Sequence, residues 1–418
     1  MFASFFPRPK LFLLSFIVWA AIASSFWYVL GGDIAAMIGL PFPADDAAPI
    51  IGVGFFVSND FIAFYLFYLL ATAIFGGFWF KFSPHKWQLW SIFGSAFILF
   101  STYFGVQVSV AINHWRKPFF DQVQFALSGE QKVEAQTLYE LILIFAQIAF
   151  IAVAVYVLTR FFVSHYIFRW RNAMNDYYLS HWKTLRSVEG ASQRIQEDTQ
   201  QFAGIMEGLG VSVVDAIMTL FAFLPVLYGL SSYVFELPIV GEISNPLMTA
   251  SITWAVFGTV LLAVVGIKLP GLQFRNQRVE AAFRKELVYG EDDKLRAQPA
   301  TVTELFNNLR RNYFRLYFHY MYFNVARSFY NQADNIFAYV ILIPTIVGGT
   351  ITLGILQQIL TAFSQVSNSF QYIVNSWSTI IDLISIHKRL VAFEKAIDGK
   401  PLPTIDQEYN RGIDPDAK

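Results

Sequence analysis

The sequence has no cysteine, which excludes disulfides, thiol nucleophiles and thiolate metal sites. Charge is scarce: Asp, Glu, Lys and Arg make up 14% of the 418 residues, against about 25% in a soluble domain. The charges balance at zero net, so bulk charge points to neither nucleic acid nor an acidic partner. No Gly-x-x-x-x-Gly-Lys-Ser/Thr loop is present to cradle phosphates. The one Gly-Lys pair, Gly399-Lys400, precedes Pro401 and has no glycine five residues before it. His-Glu-x-x-His and Gly-x-Ser-x-Gly are absent too, and the six histidines are scattered. The simplest role for those histidines is amphipathic anchoring at a membrane edge. Neither catalytic residues nor a metal or other cofactor is expected.

Apolar and aromatic residues are abundant: 55% hydrophobic, with 44 Phe, 20 Tyr and 10 Trp. Rings suit lipid-facing cores and interfacial belts. A spanning helix needs about 20 mostly apolar residues. The pattern gives about eight candidates, at residues 11–30, 61–80, 87–112, 138–162, 206–230, 247–268, 329–347 and 370–386. Asn, Gln and Ser interrupt the last two. The first lacks a cleavage signal and is read as a retained span. With the N-terminus inside, the outer loops hold only Arg116, Lys117 and Lys132 of the 30 Lys and Arg residues. Basic residues favour the cytoplasmic side of short loops, so both termini are expected in the cytoplasm.

Two polar segments, 165–205 and 270–312, are rich in Arg, Glu, Gln and Ala and poor in Gly and Pro. They are expected to continue as helices beyond the membrane, with a bend at Pro299. The tail after Ala396 is polar and contains Pro401, Pro403 and Pro415, so it is expected to be flexible. The expected organisation is a two-helix membrane segment at 1–86, a six-helix core with cytoplasmic extensions at 87–396, and a tail at 397–418.

Three charged groups stand out. In 189–198, Gln193 precedes Arg194, which faces Glu197 and Asp198 at i+3 and i+4 on a helix. In 275–293, Glu280 and Arg284 are one turn apart, Glu286 follows, and Glu291 shares a face with Glu280 if Gly290 leaves the helix unbroken. Both segments also fit a solvated, salt-bridged face. Third, Glu207, Asp215, Asp334 and Asp382 lie in or beside apolar spans, where a charge is costly unless it faces a cavity or a partner. A polar contact between packed helices explains such residues equally well. After the eighth apolar run, Arg389 is either a positive-inside anchor or a fork of donors for Glu394 or another carboxylate at an inner gate.

Gln193-Arg194-Ile195 followed by Glu197-Asp198 resembles the Gln-Arg-Ile-x-x-Asp signature of peroxisomal-type ABC half-transporter membrane domains. The usual preceding Asn-Pro is replaced by Gly190-Ala191. The closer resemblance is to the SbmA/BacA-like bacterial peptide transporters. It spans nearly the whole chain and is most specific at 162–171, 266–271, 276–293 and 312–322. That resemblance implies an all-α polytopic fold like an ABC exporter membrane domain without a nucleotide-binding domain. It also implies a homodimer in the bacterial inner membrane, with spans three to eight forming the core. The activity implied is import of antimicrobial and other peptides from periplasm to cytoplasm, driven by protons. A role in symbiosis, with an influence on very-long-chain fatty acid content, direct or indirect, is a further implication.

Proton coupling needs a titrating carboxylate, and Glu207, Glu280 and Glu291 are the first candidates, lining a cavity shared by two copies. Glu197, Asp198, Asp215, Glu286, Asp334 and Asp382 are secondary candidates. Gln193, Arg194, Arg284 and Arg389 are expected in structural or gating roles. Three other readings remain: a membrane subunit borrowing a separate ATPase, a lipid-modifying enzyme and a receptor. The second lacks a Ser, His and Asp cluster at helical spacing.

Overall fold

The computed structural model describes residues 1–43, 49–129, 131–186, 188, 191–234, 236–238, 241–293, 295–397 and 399. The described chain is built of helices: α1 (Pro9–Met37), α2 (Asn59–Phe82), α3 (Leu89–Ser128), α4 (Ala135–Ser180), α5 (Ala191–Tyr233), α6 (Pro246–Val265), α7 (Leu269–Asp292), α8 (Pro299–Val347), α9 (Leu353–Asn375) and α10 (Trp377–Ile397). A two-residue antiparallel pair, Glu236–Leu237 with Gly241–Glu242, sits in the α5–α6 connection. Proline starts α1, α6 and α8, where its missing N–H is no loss and its fixed φ suits the first turn.

Among the described residues, α1 to α6 are long and apolar enough to cross a membrane. Their surfaces fit that solvent: Leu14, Ile17, Ile22, Phe150 and Leu158 are all exposed. In lipid such side chains are at home, while helical hydrogen bonding satisfies the backbone.

The chain divides into two compact units, neither of them a continuous stretch. The first comprises Met1–Trp115, Tyr139–Val214 and Leu383–Lys418. Its core is aromatic. Trp170 of α4 stacks on Phe5 and meets Phe6 and Phe202 edge-on, with centroids 5.2–5.8 Å apart. Trp79 of α2 is fully buried against Phe12 and donates its indole N–H to Ser15 Oγ at 3.2 Å. Ile386, Leu390 and Phe393 bring α10 into the same cluster.

The second unit comprises Arg116–Leu138 and Asp215–Asp382. Here Gly258 of α6 lies directly under the Tyr330 ring of α8, which would overlap any Cβ added there. Leu262, Leu316, Phe323 and Tyr330 form the core between α6 and α8. α7 and α8 make an antiparallel hairpin, with Phe283 facing Phe306 at 5.7 Å.

Two expectations about the chain path are corrected. Pro299 is not a bend in a continuing helix. α7 ends at Asp292 and the chain reverses before Pro299 opens α8. Glu286 closes the reversal by accepting the Ala297 N–H at 3.0 Å. Nor is the expected eighth run, 370–386, one helix: it takes in the end of α9, a turn and the start of α10. α9 starts at Leu353, and only a turn at Ser376 separates it from α10. Its polar Gln358, Ser367 and Gln371 are buried, so its inward face does not read as an apolar run. Residues 329–347 lie on α8, which is not among the six described helices long and apolar enough to cross a membrane. Glu189, Gly190 and the tail from Lys400 lie outside the described residues.

Candidate functional site

The signature segment is where helical geometry departs from regularity. α5 opens as an α-turn, widens into a π-segment at Arg194–Asp198, returns to α, and widens again at Met206–Gly210. A π-segment adds a residue to the turn and re-aims the side chains after it; such segments recur at functional sites. The first carries Asp198 and the second Glu207. Carbonyls of the first segment take side-chain donors: Thr199 Oγ1 donates to Ile195 at 2.6 Å and Arg171 to Gln196 at 3.3 Å.

Asp198 is only 2% exposed, and a carboxylate so enclosed needs a partner. It has one in Arg389 of α10, which donates from Nη2 to Oδ1 at 2.8 Å and from Nε to Oδ2 at 3.1 Å. This bidentate fork is the strong form of a charged hydrogen bond. Arg389 Nη1 also donates to Ser385 Oγ at 3.3 Å. Glu394, considered above as a partner for Arg389, instead accepts from Tyr178 Oη at 3.0 Å and meets the Met1 amino group. Arg194 stands over the Phe393 ring, 5.7 Å from its centroid. Asp198, the last residue of the first π-segment, therefore gives both oxygens to α10.

Glu207 is half-buried and accepts a 2.6 Å hydrogen bond from Ser164 Oγ of α4. Glu197, also half-buried, accepts from Gln201 at 3.3 Å, and Gln193 is exposed. All these residues belong to the first unit.

The remaining candidates belong to the second unit. Glu280 is exposed and accepts from Tyr313 Oη at 3.2 Å. Glu291, Arg284 and Asp215 are exposed, and Asp382 is half-buried. Glu286 serves the α7–α8 reversal. Asp334 of α8 is the centre of a network. Its Oδ1 accepts from Trp254 Nε1 of α6 and from Ser367 Oγ of α9, both at 2.8 Å. Gln371 donates to Ser367 Oγ at 2.9 Å. Trp254 is clamped between Phe337, stacked at 4.0 Å, and Tyr330 at 5.5 Å. Three helices thus share one acidic oxygen.

The partners Ser164, Tyr313, Trp254, Ser367 and Gln371 carried no signal of their own. Ser164 and Tyr313 lie inside family-like segments, but nothing in their neighbours distinguishes them from ordinary helix residues.

The chain resembles several known transporter proteins. It is 23% identical over 349 residues to an uncharacterised ABC transporter ATP-binding protein of Synechocystis, covering 79% of this chain and 49% of that protein. It is 24% identical over 319 residues to the inner membrane ABC transporter ATP-binding protein YddA of Escherichia coli, covering 71% and 55%. With the chloroplastic ABC transporter D family member 2 of Arabidopsis thaliana it shares 22% over 325 residues, covering 72% and 43%. The chain spans about half the length of these relatives. Helices α3 to α10, the paired Asp198 and Arg389 and all the acidic candidates lie within residues 84–398, and that stretch matches one family model. This multi-pass membrane protein belongs to the SbmA/BacA-like family of the transporter world.

Proposed function

We propose that the protein imports antimicrobial and other peptides from periplasm to cytoplasm across the bacterial inner membrane, as a homodimer driven by the proton gradient. Both termini face the cytoplasm in this reading, and the activity is transport rather than bond-making chemistry. Family membership supports the transport class, and the lack of a phosphate-cradling loop in these 418 residues favours an ion as the energy source.

The observation that carries proton coupling is Glu207, a half-buried carboxylate on an apolar helix held, among the described residues, by one short hydrogen bond from Ser164. Ionised, Glu207 can only accept; protonated, it can also donate, so the pair can reverse its polarity without losing the contact. Glu280 and Glu291, exposed on α7, would add like charge in a cavity shared by two copies, which favours proton uptake. Neutralising that wall would release a cationic peptide. Uptake of a labelled cationic peptide into proteoliposomes, acid outside, is the direct test. Wild type should accumulate peptide only while the gradient stands, and Glu207→Gln should abolish accumulation. Gradient-independent uptake would remove the reading.

A second reading, a membrane subunit using a separate ATPase, is favoured by one observation: the matched relatives are ABC transporter ATP-binding proteins. It requires uptake in cells to be vanadate-sensitive and the purified chain alone to be inactive.

A further inference from the structure

The second unit holds a cavity of about 570 Å³ enclosed by α6, α7, α8 and the α9–α10 turn. That volume suits a small-molecule group. It lies where the apolar run of α6 ends at Val265 and Lys268 and α7 follow, hence at one edge of the hydrocarbon layer rather than its middle. Leu262 and Phe323 form a buried apolar floor, while Gln273, Asn324, Asn375 and Ser378 offer polar groups. Among the described residues Arg327 is the one charged residue in the lining, and it is half-buried. No hydrogen bond or ion pair engages it among the described residues. The nearby carboxylate of Asp382 acts on the Tyr320 hydroxyl. Along α6 the cavity opens beside Val260, Val264 and Ile267, which are 55%, 63% and 72% exposed.

We propose that this cavity binds the head of an anionic bilayer phospholipid, with Arg327 recognising its phosphate and the exposed face of α6 carrying an acyl chain. The chemistry is complementary on both sides. A guanidinium enclosed by apolar walls lacks full hydration, and a phosphate matches its planar fork with two parallel hydrogen bonds. Basic pockets between spanning helices are suited to anionic head groups. Gln273, Asn324 and Ser378 can donate to the remaining phosphate and glycerol oxygens. The apolar stripe on α6 leads from the cavity into lipid, a route that a water-soluble anion would not need. A cationic peptide finds no matching charge among the described residues of this lining. The inference is independent of the direction and energy source of transport.

The test uses the purified full chain, delipidated and reloaded with dioleoyl-phosphatidylglycerol or dioleoyl-phosphatidylcholine, with retained lipid measured by native mass spectrometry. Wild type should retain phosphatidylglycerol in preference to phosphatidylcholine and unfold at a higher temperature with it. Arg327→Gln should weaken retention about tenfold, while Lys268→Gln, at an exposed site outside the lining, should not. Ser378→Leu narrows the cavity but leaves Arg327 in place, and it should lose retention too. If Arg327→Gln fails to fold, Ser378→Leu alone decides. Equal retention of the two lipids, or retention unchanged in the variants, overturns the proposal. Inorganic phosphate alone reproducing the thermal shift would mark a free-anion site and overturn the lipid assignment.

Discussion

Arg389 and Asp198 stand 191 residues apart in sequence and are joined by two hydrogen bonds, 2.8 and 3.1 Å long. The carboxylate is buried, while the guanidinium side chain is 43% exposed. The pair is therefore asymmetric: losing Arg389 strands a charge, whereas losing Asp198 leaves an arginine that can reach water. Removing one partner of a fully buried pair costs about 3–5 kcal/mol. With one side open, about 2 kcal/mol is the better expectation for Arg389→Ala, since this is a charged hydrogen bond rather than a sealed ion pair. Arg389→Lys keeps the charge but cannot form the fork. It should be made at normal levels, show a lower unfolding temperature in detergent, and be defective in peptide uptake. Normal uptake by Arg389→Lys would reduce Arg389 to a membrane-edge anchor.

Asp334 invites a different substitution pair. Both its hydrogen bonds enter one oxygen, Oδ1, and Asn offers an oxygen of the same kind. Asp334→Asn should therefore unfold close to wild type. Asp334→Leu leaves the indole of Trp254 and the hydroxyl of Ser367 without their acceptor, at about 1–3 kcal/mol for each stranded group. Thermal unfolding of the two variants side by side checks this. If Leu is tolerated as well as Asn, the network does not hold α6, α8 and α9 together.

How far these features could be read from sequence depends on their range. Six apolar runs announce themselves, because lipid demands continuous hydrophobicity over a fixed length. α9 hides because it buries Gln358, Ser367 and Gln371 against its own neighbours, so its composition resembles that of a polar helix. Pro299 is ambiguous locally: a proline can bend a helix or begin one, and only the α7–α8 packing decides. The π-segments of α5 leave no residue signature, yet the first carries Asp198, which pairs with α10. Glu207 drew attention as a charge in an apolar span, while its donor Ser164 did not. Long-range pairs of this kind are set by packing, which a local pattern does not record.

Ser164 should matter to transport through Glu207. Ser164→Ala removes the one hydrogen bond on that carboxylate among the described residues and leaves a small helix-compatible residue, so expression and unfolding temperature should change little. Peptide uptake driven by a pH gradient should fall, while Ser164→Thr, which retains the hydroxyl, should restore it. Equal uptake by Ser164→Ala and wild type would show that Glu207 needs no such partner.

The start of α9 provides the last prediction. The first N–H groups of a helix lack partners within it, and here three are satisfied by side chains. Asp121 Oδ1 accepts from Gly354 at 3.0 Å, Gln124 Oε1 from Leu353 at 2.7 Å and Thr352 Oγ1 from Ile355 at 3.3 Å. Two of the three acceptors come from α3, so the contact is at once a cap and a clamp between helices. It is possible only because residue 354 is glycine. A Cβ there would overlap both the Lys117 carbonyl oxygen and the Asp121 carboxylate. Gly354→Ala should therefore cost about 1–3 kcal/mol, the usual penalty for overpacking, even though alanine is the better helix former. Asp121→Ala should cost about 1 kcal/mol as a lost cap. Combining them gives the sharper result. Removing the Asp121 side chain relieves one of the two overlaps, so the double variant should be less destabilised than the sum of the singles. It should not return to the level of Asp121→Ala alone, because the Lys117 carbonyl is backbone and remains in place. Unfolding temperatures of the two single variants and the double variant would measure this, and strict additivity would show that Asp121 and Gly354 do not meet.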